Sequence, residues 1–335
     1  MDIKIIPYTK QDNDAALALE DQCTQGTSLV LKFKRPTFHA RSEVYDHYKI
    51  LCAKIGSKLI GIIAGAKKTV RLHDEEIQAV YVYDLRVHPQ YRKRGIGKRL
   101  ADMLMEDMGY FDCMYTLIAG GNEKALSLAT RNFDLKVVAP LTYLVIPVYK
   151  EYAVTGAFEY KTATEVHELF LKNNPDLEFV PKFDEAKLTG WVSSLTLDEP
   201  DQGGCSIWTN ENLLAEQVVQ IPLSLKLMKM ICTPLRPLIK LPYIPKPNEI
   251  LPSWFLFDFY GEDDNCVRQL LAVVNNFALH NRIKYLYLLL QSSSPMLQLV
   301  KKTGLKIFSF PYILFMKGNK IPDRIENLHV DIRDL

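Results

Sequence analysis

The sequence has few of the features that mark metal, membrane or nucleic-acid proteins. Its six cysteines are scattered, with no CxxC pair or Cys/His cluster at ligand spacing, so we expect free thiols and no metal site. No apolar run reaches the length of a membrane span, so we expect no stable membrane insertion. With 41 basic and 39 acidic residues, the formal charge is only +2, and nucleic acid is not expected as a partner.

The amino-terminal residues MDIKIIPYTK contain no apolar core long enough for a secretory signal. Together with the scattered cysteines, this predicts a cytoplasmic location. Hydrophobic residues make up 48% of the chain and charged residues 24%, which is typical of a globular protein. A length of 335 residues is enough for two domains. Nothing in the composition indicates an oligomeric state.

The clearest chemical signal is the stretch Tyr81–Leu100, YVYDLRVHPQYRKRGIGKRL. It predicts a strand that ends at His88-Pro89, because proline removes a ladder donor, and then a glycine-rich basic turn that opens a helix. Such a turn suits an anion, since free N–H groups point outward, the helix dipole favours negative charge and glycine lets a phosphate approach. The stretch therefore predicts a phosphate-bearing ligand.

The spacing within this stretch narrows the ligand. A strand end L-x-V at Leu85–Val87, then His-Pro, then R-x-x-G-x-G from Arg92 to Gly97, resembles the acetyl-CoA motif of the GNAT superfamily of N-acetyltransferases. A dinucleotide fingerprint needs G-x-G-x-x-G directly after the strand, and a P-loop needs GK[ST], so neither applies. The resemblance implies an α/β fold with a mixed sheet, acetyl-CoA as cofactor, and a small-molecule, peptide or protein amine as acceptor.

The resemblance also assigns contacts with the cofactor. In acetyltransferases the pantetheine pairs like an added strand with the strand end, here Leu85, Arg86 and Val87, where the next strand splays away. Asn122 would lie near the pantetheine, although it also reads as a plain helix N-cap. The phosphates would be held by the residues of the turn: Arg92, Lys93, Arg94, Gly95, Ile96, Gly97 and Lys98.

The chain repeats one order of elements: strand, helix, strand, short helix and a last strand preceded by Leu-Lys. The first copy ends with Leu135–Val148, and the second runs from Trp254–Gly261 to Leu305–Met316. In place of the basic turn the second copy has the acidic loop GEDDN, which would repel a pyrophosphate. We therefore predict two GNAT-like domains in tandem, a CoA-binding domain over 1–150 and a degenerate one over 151–335.

The segment Ile221–Pro252 is apolar, basic and rich in proline. It predicts a short helix over Leu223–Cys232 that packs on the second domain and is stopped by Pro234. A lipid-binding or membrane-touching arm is the alternative interpretation, and it motivates a longer-chain N-acyltransferase as an alternative function.

Beyond the CoA motif, most of the chain is similar to the plant HOOKLESS family of N-acetyltransferase-like proteins. The similarity rests on the motif itself and on NEKALSLATRN, YLVIPVY, KLPYIPKP and the final VDIRDL. The family implies two acetyltransferase-like halves and N-acetyltransferase activity, and it leaves the acceptor open.

Transfer to an amine needs a base for the amine and a proton for the departing thiolate. Many GNAT members place a tyrosine acid on the helix after the asparagine, and the motif puts that position at Ala129. Because alanine replaces this tyrosine, two interpretations stay open. Either the enzyme uses other groups, or the chain is a weak or inactive CoA-binding regulator.

Two catalytic bases are candidates. Asp84 faces the side opposite Leu85 by strand alternation, where it could accept the amine proton or simply form an ion pair with a basic neighbour. The second candidate is the carboxylate of Leu335, the last residue of the sequence. N-myristoyltransferases and the mycobacterial Eis acetyltransferases also join such halves and bring a terminal carboxylate into the first domain. The analogy implies a tail that returns to the first domain, with Leu335 near Asp84 and the thioester.

Overall fold

A computed structural model describes residues 2–23, 30–188, 190–209, 211, 213–235, 239–319 and 321–335. The strands of the first half are β1 (Lys4–Pro7), β2 (Val30–Lys34), β3 (His47–Ile55), β4 (Lys58–Leu72), β5 (Glu75–Val87), β6 (Cys113–Ala119) and β7 (Lys136–Pro147). Its helices are α1 (Asn13–Asp21), α2 (Ile96–Met108) and α3 (Glu123–Arg131).

The second half has more short strands. They are β8 (Phe158–Lys161), β9 (Val180–Pro181), β10 (Val192–Leu197), β11 (Gly203–Trp208), β12 (Ala215–Gln220), β13 (Ser253–Gly261), β14 (Tyr285–Gln291) and β15 (Phe308–Gly318). Its helices are α4 (Ala163–Asn173), α5 (Leu223–Leu235), α6 (Asp264–His280) and α7 (Pro295–Lys302).

Local chemistry explains where these elements begin and end. The β3–β4 hairpin turns at Gly56, whose φ of 58° suits glycine. The side chain of Asn122 caps α3, as predicted, and Asp263 caps α6 in the same way. Pro89 follows the end of β5, because its ring cannot continue the ladder. The repeated strand–helix–strand order predicted from sequence is therefore confirmed.

Within the described residues, one mixed sheet runs through both halves in the order β1-β3-β4-β5-β6-β15-β7-β14-β13-β11-β10-β8. The two halves exchange their last strands, because β15 lies between β6 and β7 while β7 pairs with β14. The fold is the predicted mixed α/β architecture of tandem halves. The predicted domain boundary at residue 150 falls between β7 and β8, but a single sheet contains strands from both sides of it.

Apolar side chains cover both faces of this sheet. One cluster packs α2 and α3 against β3–β6, and a second packs α6 and α7 against the strands of the second half. The opposite face is a single cluster that crosses both halves and includes Ile325, Leu328 and Ile332 from the tail after β15. The tail is thus part of the core between the halves.

The segment after β12 differs from its prediction. Helix α5 extends to Leu235 and contains Pro234 within its last turn. Leu223, Met230 and Ile231 are 71%, 69% and 61% exposed, so this face does not pack on the second domain as expected. Residues 236–238 lie outside the described part of the chain. Among the described helices, none is long and apolar enough to cross a membrane.

Candidate functional site

Strands β5 and β6 separate where the sequence motif predicts a gap. They pair in parallel only over Ala79–Tyr81 and Cys113–Tyr115, and beyond Tyr81 no register joins them. A cavity of about 250 Å³ occupies the gap and reaches both faces of the sheet. Such a gap leaves main-chain groups of β5 able to pair with an extended ligand.

A β-bulge shapes the β5 side of this gap. Tyr83 pairs with Ala64 and Arg86 with Ile62, so Asp84 and Leu85 both lie opposite a single residue of β4. Asp84 adopts a φ of 53°, in the left-handed region. The extra residue reverses the alternation. Leu85 therefore packs toward α2, while Tyr83 and Asp84 share the opposite side.

The main chain of Val87 faces the gap. His88 donates from its N–H to the carbonyl of Ile60 at 2.9 Å, and in an antiparallel pair this register turns the N–H and C=O of Val87 away from β4. The carbonyl of Val87 accepts hydrogen bonds from Arg92 Nε at 3.0 Å and from Cys23 Sγ at 3.7 Å. A carbonyl has two lone pairs, so a pantetheine amide that bonds this oxygen would displace the weak thiol contact.

The basic turn has the form of an anion site. Gly95 is the N-cap of α2 with a φ of 73°, and Lys93 has a φ of 62°, so the chain curls around the helix start. Ile96 is 2% exposed and can offer only its main-chain N–H. The predicted basic side chains are exposed: Arg92, Lys93, Arg94 and Lys98. The first N–H groups of a helix lack intrahelical partners and suit a phosphate.

Gly97 follows in the first turn of α2. A Cβ built there would lie 3.7 Å from Leu85 Cδ2, an ordinary contact. The protein itself therefore leaves room for a methyl group. If glycine is required at this position, the requirement comes from a ligand that approaches the helix start.

Asn122 and Ala129 line the same cavity from α3 and its cap. The side chain of Asn122 accepts a hydrogen bond from the N–H of Ala125 at 3.2 Å, so its N-cap role is present beside any contact with pantetheine. Ala129 is 2% exposed, and its methyl group has no proton to donate to a leaving group.

Asp84 is held in an ionic cluster. Its carboxylate accepts from Arg35 at 2.8 Å and from Arg86 at 3.0 Å, and Arg41 lies at 3.7 Å. Burial would raise the pKa of Asp84, but the three arginines together lower it well below its usual range. The structure thus favours the ion-pair interpretation over the role of a base.

Arg86 belongs to the same cluster. Its guanidinium bonds Glu20 as well as Asp84, and the residue is 6% exposed. Glu20 also accepts a hydrogen bond from Arg35 Nε at 2.8 Å. The side chain of Arg86 is therefore directed into this buried cluster, where its Nε has no hydrogen-bond partner among the described residues. The predicted pairing with pantetheine would be made by its main chain.

The end of the sequence enters the first half. Tyr81 donates a hydrogen bond of 2.6 Å to the main-chain oxygen of Asp334. Arg41 donates to that same oxygen at 2.9 Å and lies 3.4 Å from the oxygen of Leu335. Because Arg41 also faces Asp84, it bridges the two candidate bases. Leu335 lines the cavity between β5 and β6.

Buried charges anchor this tail. Lys68 on β4 donates to Asp331 at 2.8 Å and to Asp334 at 2.7 Å, and Tyr115 on β6 donates to Asp334 at 2.7 Å. Burial and the neighbouring Asp331 raise the pKa of Asp334. Burial would raise the pKa of Asp331 too, but Arg333 and Lys68 lower it well below its usual value. Nothing in the local sequence marks these partners, which come from separate strands.

A further carboxylate lies in the cavity and has no sequence signal. Glu216 on β12 accepts a hydrogen bond from the hydroxyl of Tyr287 at 2.8 Å. It lines the cavity together with Tyr143 and Tyr312. Burial raises the pKa of Glu216 above its ordinary value, although the hydrogen bond from Tyr287 acts against the shift.

Comparison with known proteins agrees with this geometry. Residues 14–134 match the model of the Acetyltransferase (GNAT) family. No curated protein matches the sequence. The fold resembles crystal structures of Saccharomyces cerevisiae N-myristoyltransferase with bound myristoyl-CoA, at a TM-score of 0.63 and 10% identity, over 94% of this chain and 79% of that one. A second structure of the yeast enzyme gives the same TM-score and covers 82% of that chain.

The two comparisons bear on different parts of the molecule. The family match covers the half that contains the basic turn and the β5–β6 gap. The structural similarity covers both halves and, at this identity, concerns the fold. Residues 14–134 thus match the GNAT family, and the fold of the two halves together is similar to that of N-myristoyltransferase.

Proposed function

We propose that the protein transfers an acetyl group from acetyl-CoA to an amine by direct attack, as an N-acetyltransferase similar to the HOOKLESS family. The observation that carries the proposal is the cavity through the sheet. Its α2 side is lined by Leu85, Ala101 and Ala129, and its other side includes Leu335. The basic turn that would hold the phosphates opens the same helix α2. A thioester in the gap would then have the cofactor site on one side and a carboxylate on the other.

In this proposal the carboxylate of Leu335 takes a proton from the incoming ammonium group, directly or through one water. The freed nitrogen attacks the thioester carbonyl and forms a tetrahedral intermediate. When the C–S bond breaks, the second proton of the nitrogen goes to the thiolate. This route needs no tyrosine at Ala129. Tyr81 and Tyr83 are not the acid, because their hydroxyls already donate to Asp334 and Ser42.

The acceptor side of the cavity favours a short acyl group. Arg41, Glu216 and several tyrosines line it, and burying an alkyl chain against charged groups is unfavourable. A cationic acceptor suits this lining, since a carboxylate and aromatic faces both attract an ammonium group. Small amines and the amine groups of peptides or proteins fit this description.

A longer-chain N-acyltransferase is the second candidate. It is supported by the fold, which resembles that of enzymes solved with myristoyl-CoA. The α2 side of the cavity is also apolar, with Val82, Met114 and Leu135 in its lining. The third candidate, a CoA-binding regulator without turnover, is supported by Ala129.

An assay of the free CoA thiol released by transfer distinguishes the three candidate functions. The purified protein is mixed with acetyl-, lauroyl- or myristoyl-CoA and a panel of polyamines, amino acids and peptides, and products are identified by mass spectrometry. We expect turnover with acetyl-CoA and a cationic amine. Faster turnover with the long acyl donors would overturn acetyl transfer, and CoA binding by calorimetry without turnover would overturn catalysis. The mass of the intact natural protein checks that Leu335 carries the free carboxylate.

A further inference from the structure

The two halves share one unusual backbone feature. In the second half, Phe257 pairs with Ser206 and Tyr260 with Gly204, so Asp258 lies in a bulge at the same step as Asp84 in the first half. Asp258 also has a positive φ, of 47°. Strands β13 and β14 pair only up to Leu256, and a cavity of about 280 Å³ lies beyond. Asp258 therefore occupies the place of Asp84 in the repeat.

The two aspartates differ in how their charge is balanced. Asp84 faces three arginines, which are always cationic. Among the described residues, the ion-pair partners of Asp258 are His167 at 2.8 Å and His329 at 3.4 Å. All three residues are buried. An imidazole is charged only when it is protonated. The buried carboxylate of Asp258 therefore has less permanent positive charge around it than that of Asp84.

We propose that His167, Asp258 and His329 bind a divalent transition metal of the zinc class. One ligand atom from each residue lies within 4.8 Å of the other two. Metal bonds of about 2.0–2.2 Å place tetrahedral ligand atoms roughly 3.5 Å apart. Asp258 Oδ2 lies 2.8 Å from His167 Nδ1, and Asp258 Oδ1 lies 3.4 Å from His329 Nε2. Small side-chain rotations would bring one carboxylate oxygen and both nitrogens around an ion. Two imidazoles and one carboxylate form a typical set for such metals.

The surroundings fit a bound ion. His167 stacks on the ring of Phe183 at 4.5 Å between centroids, which fixes its plane. Nδ1 of His329 is buried and has no partner among the described residues. Without an ion, Asp258 accepts the ring proton from Nε2 at 3.4 Å. A metal at Nε2 would take the place of that proton, and the neutral ring would carry its proton on Nδ1. Asp258 and His329 line the cavity, which has room for a water as fourth ligand.

The ligands come from α4, β13 and the tail after β15. A metal on them would fix the tail to the second half at His329, shortly before Leu335. Any effect of this attachment on catalysis depends on the proposed role of Leu335 as the base. The metal site itself does not depend on that role. Because 91 residues separate His167 from Asp258 and 71 separate Asp258 from His329, no spacing in the sequence marks the cluster.

The test is metal analysis of the tag-free full-length protein by inductively coupled plasma mass spectrometry. We expect about one equivalent of a single transition metal per chain, and visible ligand-field bands when Co²⁺ is added after chelation. His329→Gln and His167→Gln should each weaken Co²⁺ binding at least about tenfold. His280→Gln, at an exposed histidine, is the matched control and should bind as the wild type does.

These variants keep Asp258 in place, so they remain informative if Asp258→Asn does not fold. Less than about a tenth of an equivalent of metal, with no Co²⁺ bands and no rise in melting temperature, would overturn the site. Equal binding by His329→Gln and the wild type would overturn the ligand assignment. If the protein binds metal but does not turn over substrate, the metal site is supported and the proposed function is wrong. The two failures are therefore distinguishable.

Discussion

The hydroxyl of Tyr81 donates a hydrogen bond of 2.6 Å to the main-chain oxygen of Asp334. This bond joins the middle of strand β5 to the last turn of the tail. It lies in the buried face of the sheet, where Tyr81 stacks on Tyr83 with 5.0 Å between ring centroids. The position of Leu335 beside the gap is therefore set by buried groups of β5.

An extension of Gly-Gly after Leu335 tests the proposed base. The extension replaces the carboxylate by a neutral amide at the cavity, so we expect kcat/KM to fall by about 10²-fold or more, the usual contribution of a general base. CoA affinity should stay the same, because the basic turn is untouched. Thiol release and calorimetry measure the two quantities.

Leu335→Ala is the matched control, because it keeps the carboxylate and shortens only the side chain. We expect its turnover to stay well above that of the extended protein. Equal turnover by the extended protein and the wild type, with equal melting temperatures, would rule out Leu335 as the base.

Gly97→Ala separates ligand binding from folding. The new Cβ has ordinary contacts, and alanine stabilises a helix interior by up to about 1 kcal/mol over glycine. The melting temperature should therefore stay the same or rise. Acetyl-CoA should bind at least about tenfold more weakly, or 1.4 kcal/mol, because the methyl group stands where a phosphate approaches the helix start.

Gly156→Ala is the control for this variant, since its added Cβ has nothing within 4 Å. We expect wild-type CoA affinity from it. Unchanged affinity in Gly97→Ala as well would place the phosphates elsewhere.

Asp84→Asn tests the ionic cluster through its pH dependence. Removing one charge from this buried network leaves its arginines with too little counter-charge, because Glu20 alone then faces Arg35 and Arg86. We expect the free energy of unfolding in urea to fall by about 3 kcal/mol near neutral pH. The folded pKa of Asp84 lies below its ordinary value of 3.8. The contribution of ionised Asp84 to the free energy of unfolding is therefore complete above the ordinary pKa of 3.8. It is lost as the pH falls toward the lower pKa of the folded state.

The difference in free energy of unfolding between the wild type and Asp84→Asn should accordingly become smaller in acid. Asp102→Asn, which breaks an exposed pair with Lys98, should cost less than about 1 kcal/mol and serves as the control. A difference of the same size at every pH, or one that widens in acid, would contradict an ionised Asp84.

Glu216→Gln tests the acceptor side. If Glu216 attracts the ammonium group, KM for a cationic amine should rise by about tenfold while CoA affinity stays unchanged. Burial raises the pKa of Glu216, so the wild-type KM should also rise as the pH falls toward that raised value, because the carboxylate is neutralised. The variant should lack this part of the pH dependence.

Steady-state kinetics across pH measures both effects. Asp74→Asn changes a side chain that is 97% exposed and should leave KM alone. An unchanged KM in Glu216→Gln for every cationic acceptor would remove this residue from the acceptor site.

Local patterns were sufficient for much of the fold. The motif from Tyr81 to Leu100 specified a strand, a basic turn and a helix start, because glycine, proline and apolar spacing act over a few residues. The strand Tyr285–Gln291 and the short helix Pro295–Lys302 occupy the places that the repeated order of elements predicts. Strands β2 and β10 have no place in that repeated order. Their pairing depends on partners far along the chain.

By itself, then, the sequence determined the order of elements, the tandem repeat and the basic turn at the start of α2. The tertiary structure decided which charges meet. A bulge placed Asp84 among three arginines, exchanged last strands joined the halves, and Lys68 fixed the tail. Such contacts join residues that only long-range packing brings together, and the balance of burial against ion pairing that sets their protonation exists only in the folded chain.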